Sequence, residues 1–147
     1  MGADPYWYFT EYDTDAEAAL QRLRRREFLA GRYNPVIPFL MFPSRPNAPS
    51  PGPKHATIEE AIAAAAEDGT RSILDLHSVG DAVDFGVAAR LPPEKLEELF
   101  ETTEPTHELL ESELAVFNEI DRGQGACIVV YKDGKPSELF FAGYSYD

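Results

Sequence analysis

The chain contains a single cysteine, Cys127, so no disulfide can form within it, and a reducing compartment, the cytoplasm, is the expected location. Cys127 sits in the apolar run Ala126-Cys127-Ile128-Val129-Val130, where burial as a small hydrophobe is expected rather than reactivity. Long hydrophobic runs are missing too. Nowhere do roughly 18 apolar residues follow one another, which excludes an obvious membrane-crossing helix. Residues 1–13 have neither a basic stretch nor an apolar core, so they do not read as a secretory signal. No Gly-x-Ser-x-Gly, Walker loop or Gly-x-Gly-x-x-Gly occurs, and Gly123-Gln124-Gly125 precedes a strand pattern, where a phosphate loop would open a helix. Basic residues are scarce: 13 Lys and Arg face 26 Asp and Glu, for a net charge of −13. Nucleic-acid backbones and anionic membranes would be repelled at long range, so neither is expected as a partner.

The charge that is present is divided along the chain. Residues 1–55 carry 7 basic and 6 acidic side chains, whereas residues 56–147 carry 6 and 20. Arg22, Arg24, Arg25 and Arg26 gather on one predicted helix, and residues 94–121 hold ten carboxylates. At 147 residues, 44% of them hydrophobic, the chain is long and apolar enough to fold around one substantial core rather than remain a disordered acidic tail.

Periodicity supplies the architecture. Tyr6–Tyr12 reads as a strand with Tyr6, Tyr8, Thr10 and Tyr12 on one face and Trp7, Phe9 and Glu11 on the other. Aromatics on both faces imply a strand covered on two sides or one exposing a ring-lined surface. A helix follows, with Thr14 and Glu17 as a capping box, Ala16, Leu20, Leu23 and Glu27/Phe28 along its apolar stripe, and Gly31 as its stop. The arginines fall mostly off that stripe and are expected in solvent. Residues 33–55 hold seven of the 12 prolines, which exclude a helix or a central strand and make an extended loop. Thr57 and Glu60 cap a second, alanine-rich helix. Arg71–His77 and Phe85–Arg90 read as strands, Pro92-Pro93 opens a helix ending at Phe100, and Thr106 starts another running to Ile120. Ala126–Tyr131 and Ser137–Tyr144 flank Asp133-Gly134 as a C-terminal β-hairpin. The expectation is a single α+β domain over residues 1–147. It has a mainly antiparallel sheet of about four to five strands, packed with about four helices.

Three clusters carry candidate chemistry. Glu97, Glu98, Glu101, Glu104, Glu108 and Glu111 make an acidic face for a basic partner; the alternative is two ordinary solvated helices, with Glu94, Glu108 and Glu111 favouring N-terminal turns. Arg22, Arg25 and Arg26 are an anion- or acid-pairing group, expected to pair within the fold against the acidic helices or between copies. Asp75, His77, Asp81 and Asp84 are the one ligand-like cluster: Asp75 and His77 would share a strand face and could hold a divalent cation, though their spacing matches no metal motif and no cofactor is required. With no catalytic motif, the leading expectation is a small acidic binding protein, of the inhibitor, immunity or regulatory-adaptor type, that docks a basic protein. The alternatives are a small-molecule or metal-assisted enzyme at the Asp75 cluster and a homo-oligomeric structural protein.

Overall fold

The computed structural model describes residues 4–37 and 49–146. Residues 38–48 of the expected proline loop lie outside them. Within the described residues five strands form one sheet: β1 (Pro5–Glu11), β2 (Ser78–Gly80), β3 (Val87–Arg90), β4 (Gly125–Lys132) and β5 (Lys135–Tyr144), in the order β1-β5-β4-β3-β2. Among the described residues four α-helices accompany it: α1 (Ala16–Ala30), α2 (Ile58–Ala64), α3 (Pro93–Phe100) and α4 (His107–Ser112). The domain is α+β, as composition and pattern imply. Its sheet is mixed, however. β1·β5 and β4·β5 are antiparallel over long registers, while β2·β3 and β3·β4 are parallel over three positions each.

The hairpin β4–β5 turns at Asp133 and Gly134, both with positive φ (53° and 77°), the backbone that a two-residue primed turn demands. Gly134 supplies that conformation without strain, and a Cβ there would meet nothing. β1 then docks on the free edge of β5, pairing Tyr8 with Phe141 and Phe9 with Phe140. Alternation sends these rings to opposite faces. Tyr6, Tyr8, Cys127, Leu139 and Phe141 belong to one core; Trp7, Ile128, Val130, Phe140 and Ala142 belong to the other. Both faces of the aromatic strand are therefore covered. Each fully buried ring of this kind contributes roughly 2–3 kcal/mol of burial free energy.

α1 and α2 close the first core through Ala19, Leu20, Leu23, Phe28 and Ala61. α3, α4 and a 3-10 turn at Ala115–Asn118 close the second through Leu96, Phe100, Leu110, Val116 and Phe117. The arginine-bearing helix and the acidic helices thus lie on opposite faces of the sheet.

Three local expectations change. Asp15, not Thr14, caps α1, its carboxylate accepting the Ala18 N–H at 3.1 Å. Glu17 is freed from capping and accepts the Val79 N–H at 2.8 Å, while Gln21 donates to the His77 carbonyl at 2.9 Å. α1 thereby protects the exposed edge at β2. Residues 71–77 are not a strand: Arg71 takes a left-handed φ of 54° and Ser72 caps a buried 3-10 turn at Ile73–Asp75. The helix from Thr106 ends at Ser112, because Glu113 is extended; Leu114 stays 41% exposed, while Val116 and Phe117 are turned onto the sheet. Gly31 ends α1 as expected, and the returning chain packs its Gly52 carbonyl against the space a Cβ would need.

Candidate functional site

The acidic face is built by two short amphipathic helices. α3 turns Leu96 and Phe100 onto the sheet, which leaves Glu94, Glu97, Glu98 and Glu101 at i, i+3, i+4 and i+7 on its outer side. α4, capped by the Thr106 hydroxyl accepting from the Leu109 N–H, buries Leu110 and exposes Glu108 and Glu111. Glu104, in the connection between the two helices, is also exposed. All six sequence-predicted carboxylates are therefore on the surface of one layer.

Their neutralisation is sparse. Lys95 bridges Glu98 (3.0 Å) and Glu119 (3.3 Å), and these carboxylates hold its ammonium above the usual lysine range. His107 touches Glu138 through Nδ1 at 2.8 Å and Glu111 through Nε2 at 3.4 Å, its ring stacked on Phe9 with centroids 3.7 Å apart. Among the described residues, Glu97, Glu101, Glu104 and Glu108 have no ion-pair partner. Helix electrostatics explain only part of this charge. Glu94 and Glu108 lie in first turns, where the helix dipole favours them, but Glu97, Glu98 and Glu101 crowd the last turn and C-cap of α3, and that last turn carries no basic residue. Like charges at helical spacing there add a small cost, about 0.2–0.5 kcal/mol per pair.

The arginines are engaged elsewhere. Arg22 pairs with Asp13 at 2.9 Å, lowering that carboxylate's pKa after the Asp15 N–H has already done so. Arg26 pairs with Glu27 at 2.9 Å, and Arg25 is exposed with no ion-pair partner among the described residues. Arg24 departs from the solvated expectation: it is buried and donates to Gln21 and to the Leu74 carbonyl at 3.1 Å. Burial pulls its pKa down, with nearby carboxylates opposing. The arginine helix does not pair with the acidic helices 94–121, because the sheet separates them.

The Asp75 cluster is dispersed. Asp75 is buried and accepts from the Thr70 N–H and hydroxyl and from the Arg71 N–H. Burial raises its pKa against those hydrogen bonds. Asp81 reaches out to Arg90 at 3.1 Å, and Asp84 accepts its neighbour's Phe85 N–H. His77 lies past the 3-10 turn, its N–H donating to Gly86, and desolvation with Arg24 nearby holds its imidazole below the usual value. Asp75 and His77 share no strand face, because the segment is not a strand. Among the described residues, no three His, Cys, Asp or Glu side chains are arranged to hold a metal ion.

Glu27 is fully buried and accepts from Arg26 and Arg32, which the sequence pattern did not announce. Its place on the apolar stripe of α1 was the available signal. No described helix is long and apolar enough to cross a membrane. No protein-family model, curated protein or solved structure matches the chain.

Proposed function

We propose that this protein is a small cytoplasmic binding module that docks a basic protein through the outer face of α3, the following connection and α4. Glu97, Glu98, Glu101, Glu104, Glu108 and Glu111 are the contact carboxylates. The observation that carries this reading is the placement of Glu97, Glu98 and Glu101 at the negative end of α3, where they work against the helix that bears them. A cationic surface relieves that repulsion on contact, and opposite charge steers the encounter. An inhibitor, immunity or adaptor role fits this way of working.

The test is affinity capture from the native host by wild-type protein and by a variant with the six glutamates changed to glutamine. A basic protein held by the wild type and by an R25Q control, but lost with the glutamine variant, supports the proposal. Equal retention by the glutamine variant contradicts it.

The opposed charged faces favour one second reading, self-association with the α1 arginines of one copy on the acidic layer of the next. Such a head-to-tail contact need not close and gives open chains. Light scattering tests it: a mass that falls with added salt supports self-association, and a salt-independent monomer removes it.

A further inference from the structure

β3 stops pairing with β4 before β4 has run its course. The last rung is the Leu91 N–H donating to the Cys127 carbonyl at 3.4 Å. The next would take the Leu91 carbonyl to the Val129 N–H, and the one after would take the N–H of residue 93 to the Val129 carbonyl. Residue 93 is proline and has no N–H, and with Pro92 it turns the chain into α3. Pairing resumes only at Tyr131, whose N–H donates to the Pro105 carbonyl at 2.8 Å. On its other side β4 bonds β5 through its even-numbered residues, as the Tyr144–Gln124 and Tyr144–Gly123 bonds that continue the ladder show. Val129 therefore points both its N–H and its C=O into the gap, and no described residue supplies a partner for either.

The gap is a cleft of about 260 Å³. Tyr12, Leu91, Leu96 and Leu139 form apolar walls, and Arg90 and Asp13 are its charged lining. Asp13 is held by Arg22. Among the described residues Arg90 is held only by Asp81, a side chain 89% exposed, and so exposed a pair contributes little. Arg90 is in register with Cys127, at the end of the gap nearest the Val129 N–H.

We propose that this cleft binds one apolar amino-acid residue with a free carboxylate, laid antiparallel to β4. An antiparallel pair exchanges both backbone hydrogen bonds between two residues, so a single residue satisfies Val129. In that direction the carboxylate accepts from the Val129 N–H at the Arg90 end, and the guanidinium adds a charge-assisted bond. The ligand nitrogen donates to the Val129 carbonyl, and the side chain fills the apolar walls. Free amino acids and the C-terminal residue of a peptide share this chemistry.

Amide NMR on the full chain tests the proposal with three probes: L-leucine, N-acetyl-L-leucine and N-acetyl-L-leucinamide, which lacks the carboxylate. The expected result is a saturable shift of the Val129 amide with one or both carboxylates and at least about tenfold weaker binding of the leucinamide. Response to leucine alone identifies a free amino acid as ligand; response to the acetylated form identifies a chain terminus. R90Q should weaken the carboxylate probes by about the same factor, and T103W, at an exposed lining position, should block all three. A Val129 amide unmoved by every probe overturns the proposal. So does leucinamide binding as tightly as the carboxylates to wild-type protein, a comparison that needs no variant.

Discussion

Glu27, with no solvent exposure, holds Arg32 in a two-pronged ion pair: Nε donates to Oε1 and Nη2 to Oε2, both at 2.7 Å. Arg26 adds a third bond from the α1 surface at 2.9 Å. The pair raises the Arg32 pKa through the Glu27 hydrogen bond, and the Glu27 charge adds to burial in keeping the neighbouring Tyr8 phenol protonated. It also ties Arg32, just past the end of α1, back onto the helix, and Arg32 in turn donates to Ser50 in the returning chain. Arg22, Arg26 and Arg32 are thus held by carboxylates on their own side of the sheet, Arg25 staying exposed, and the acidic layer on the far side keeps its charge.

Removing one partner from this pair should be costly. R32M leaves Glu27 buried with Arg26 alone and is expected to lower unfolding free energy by about 3 kcal/mol. Replacing both partners, as E27M with R32M, should recover much of that loss. Urea denaturation of the two variants and the parent measures the difference. A single variant as stable as the parent would show the pair to be dispensable.

Asp75 should be intolerant of asparagine although burial raises its pKa. Its two oxygens face three donor groups, so the NH₂ of an asparagine amide at this position would meet either the Thr70 or the Arg71 N–H. The unsatisfied donors should cost about 1–3 kcal/mol, read by chemical denaturation. Unchanged stability in D75N would mean that Asp75 is already protonated and donating.

His77 should make the protein acid-sensitive. Its folded pKa is depressed below the ordinary 6.5, so the unfolded chain takes up the proton first as pH falls. Stability from this group is present above about pH 6.5 and is lost as pH drops through the folded value. Thermal melts of H77Q across that window should show a smaller acid-side loss than the parent. Parallel curves would remove His77 as the cause.

Cys127 should resist thiol reagents in the folded state. It is 5% exposed, and burial pushes its thiol up to about 12, with Arg90 opposing only in part. Reaction with a disulfide reagent at neutral pH should be slow in buffer and rapid in denaturant. Equal rates would place the thiol at the surface.

The sequence carried those features that depend on local pattern. Tyr6–Glu11 alternates, Asp133-Gly134 needs a primed turn, and Pro93 starts a helix, so the strand, the hairpin and α3 could be read directly. The 3-10 turn at Ile73–Asp75 could not, because it depends on a carboxylate folding back to Thr70, and Arg71-Ser72-Ile73 is equally compatible with a strand. The acidic residues were legible as a group. Their isolation from the arginines was not, since only the sheet order places α1 and α3 on opposite faces. The Val129 cleft was hidden for the same reason: Pro92-Pro93 announces the end of β3, but only the parallel register shows which backbone groups it leaves unpaired.

Docking of a basic protein on the acidic layer, as proposed, should be governed by charge. The association rate of the captured partner, measured by stopped flow from low to high salt on wild-type protein and the six-glutamine variant, tests it most directly. If the acidic layer docks a basic protein, the wild-type rate falls by at least about tenfold as salt rises through physiological strength, and the glutamine variant is slow and nearly flat. A wild-type rate independent of salt, or a glutamine variant with the same rate and slope, would contradict it.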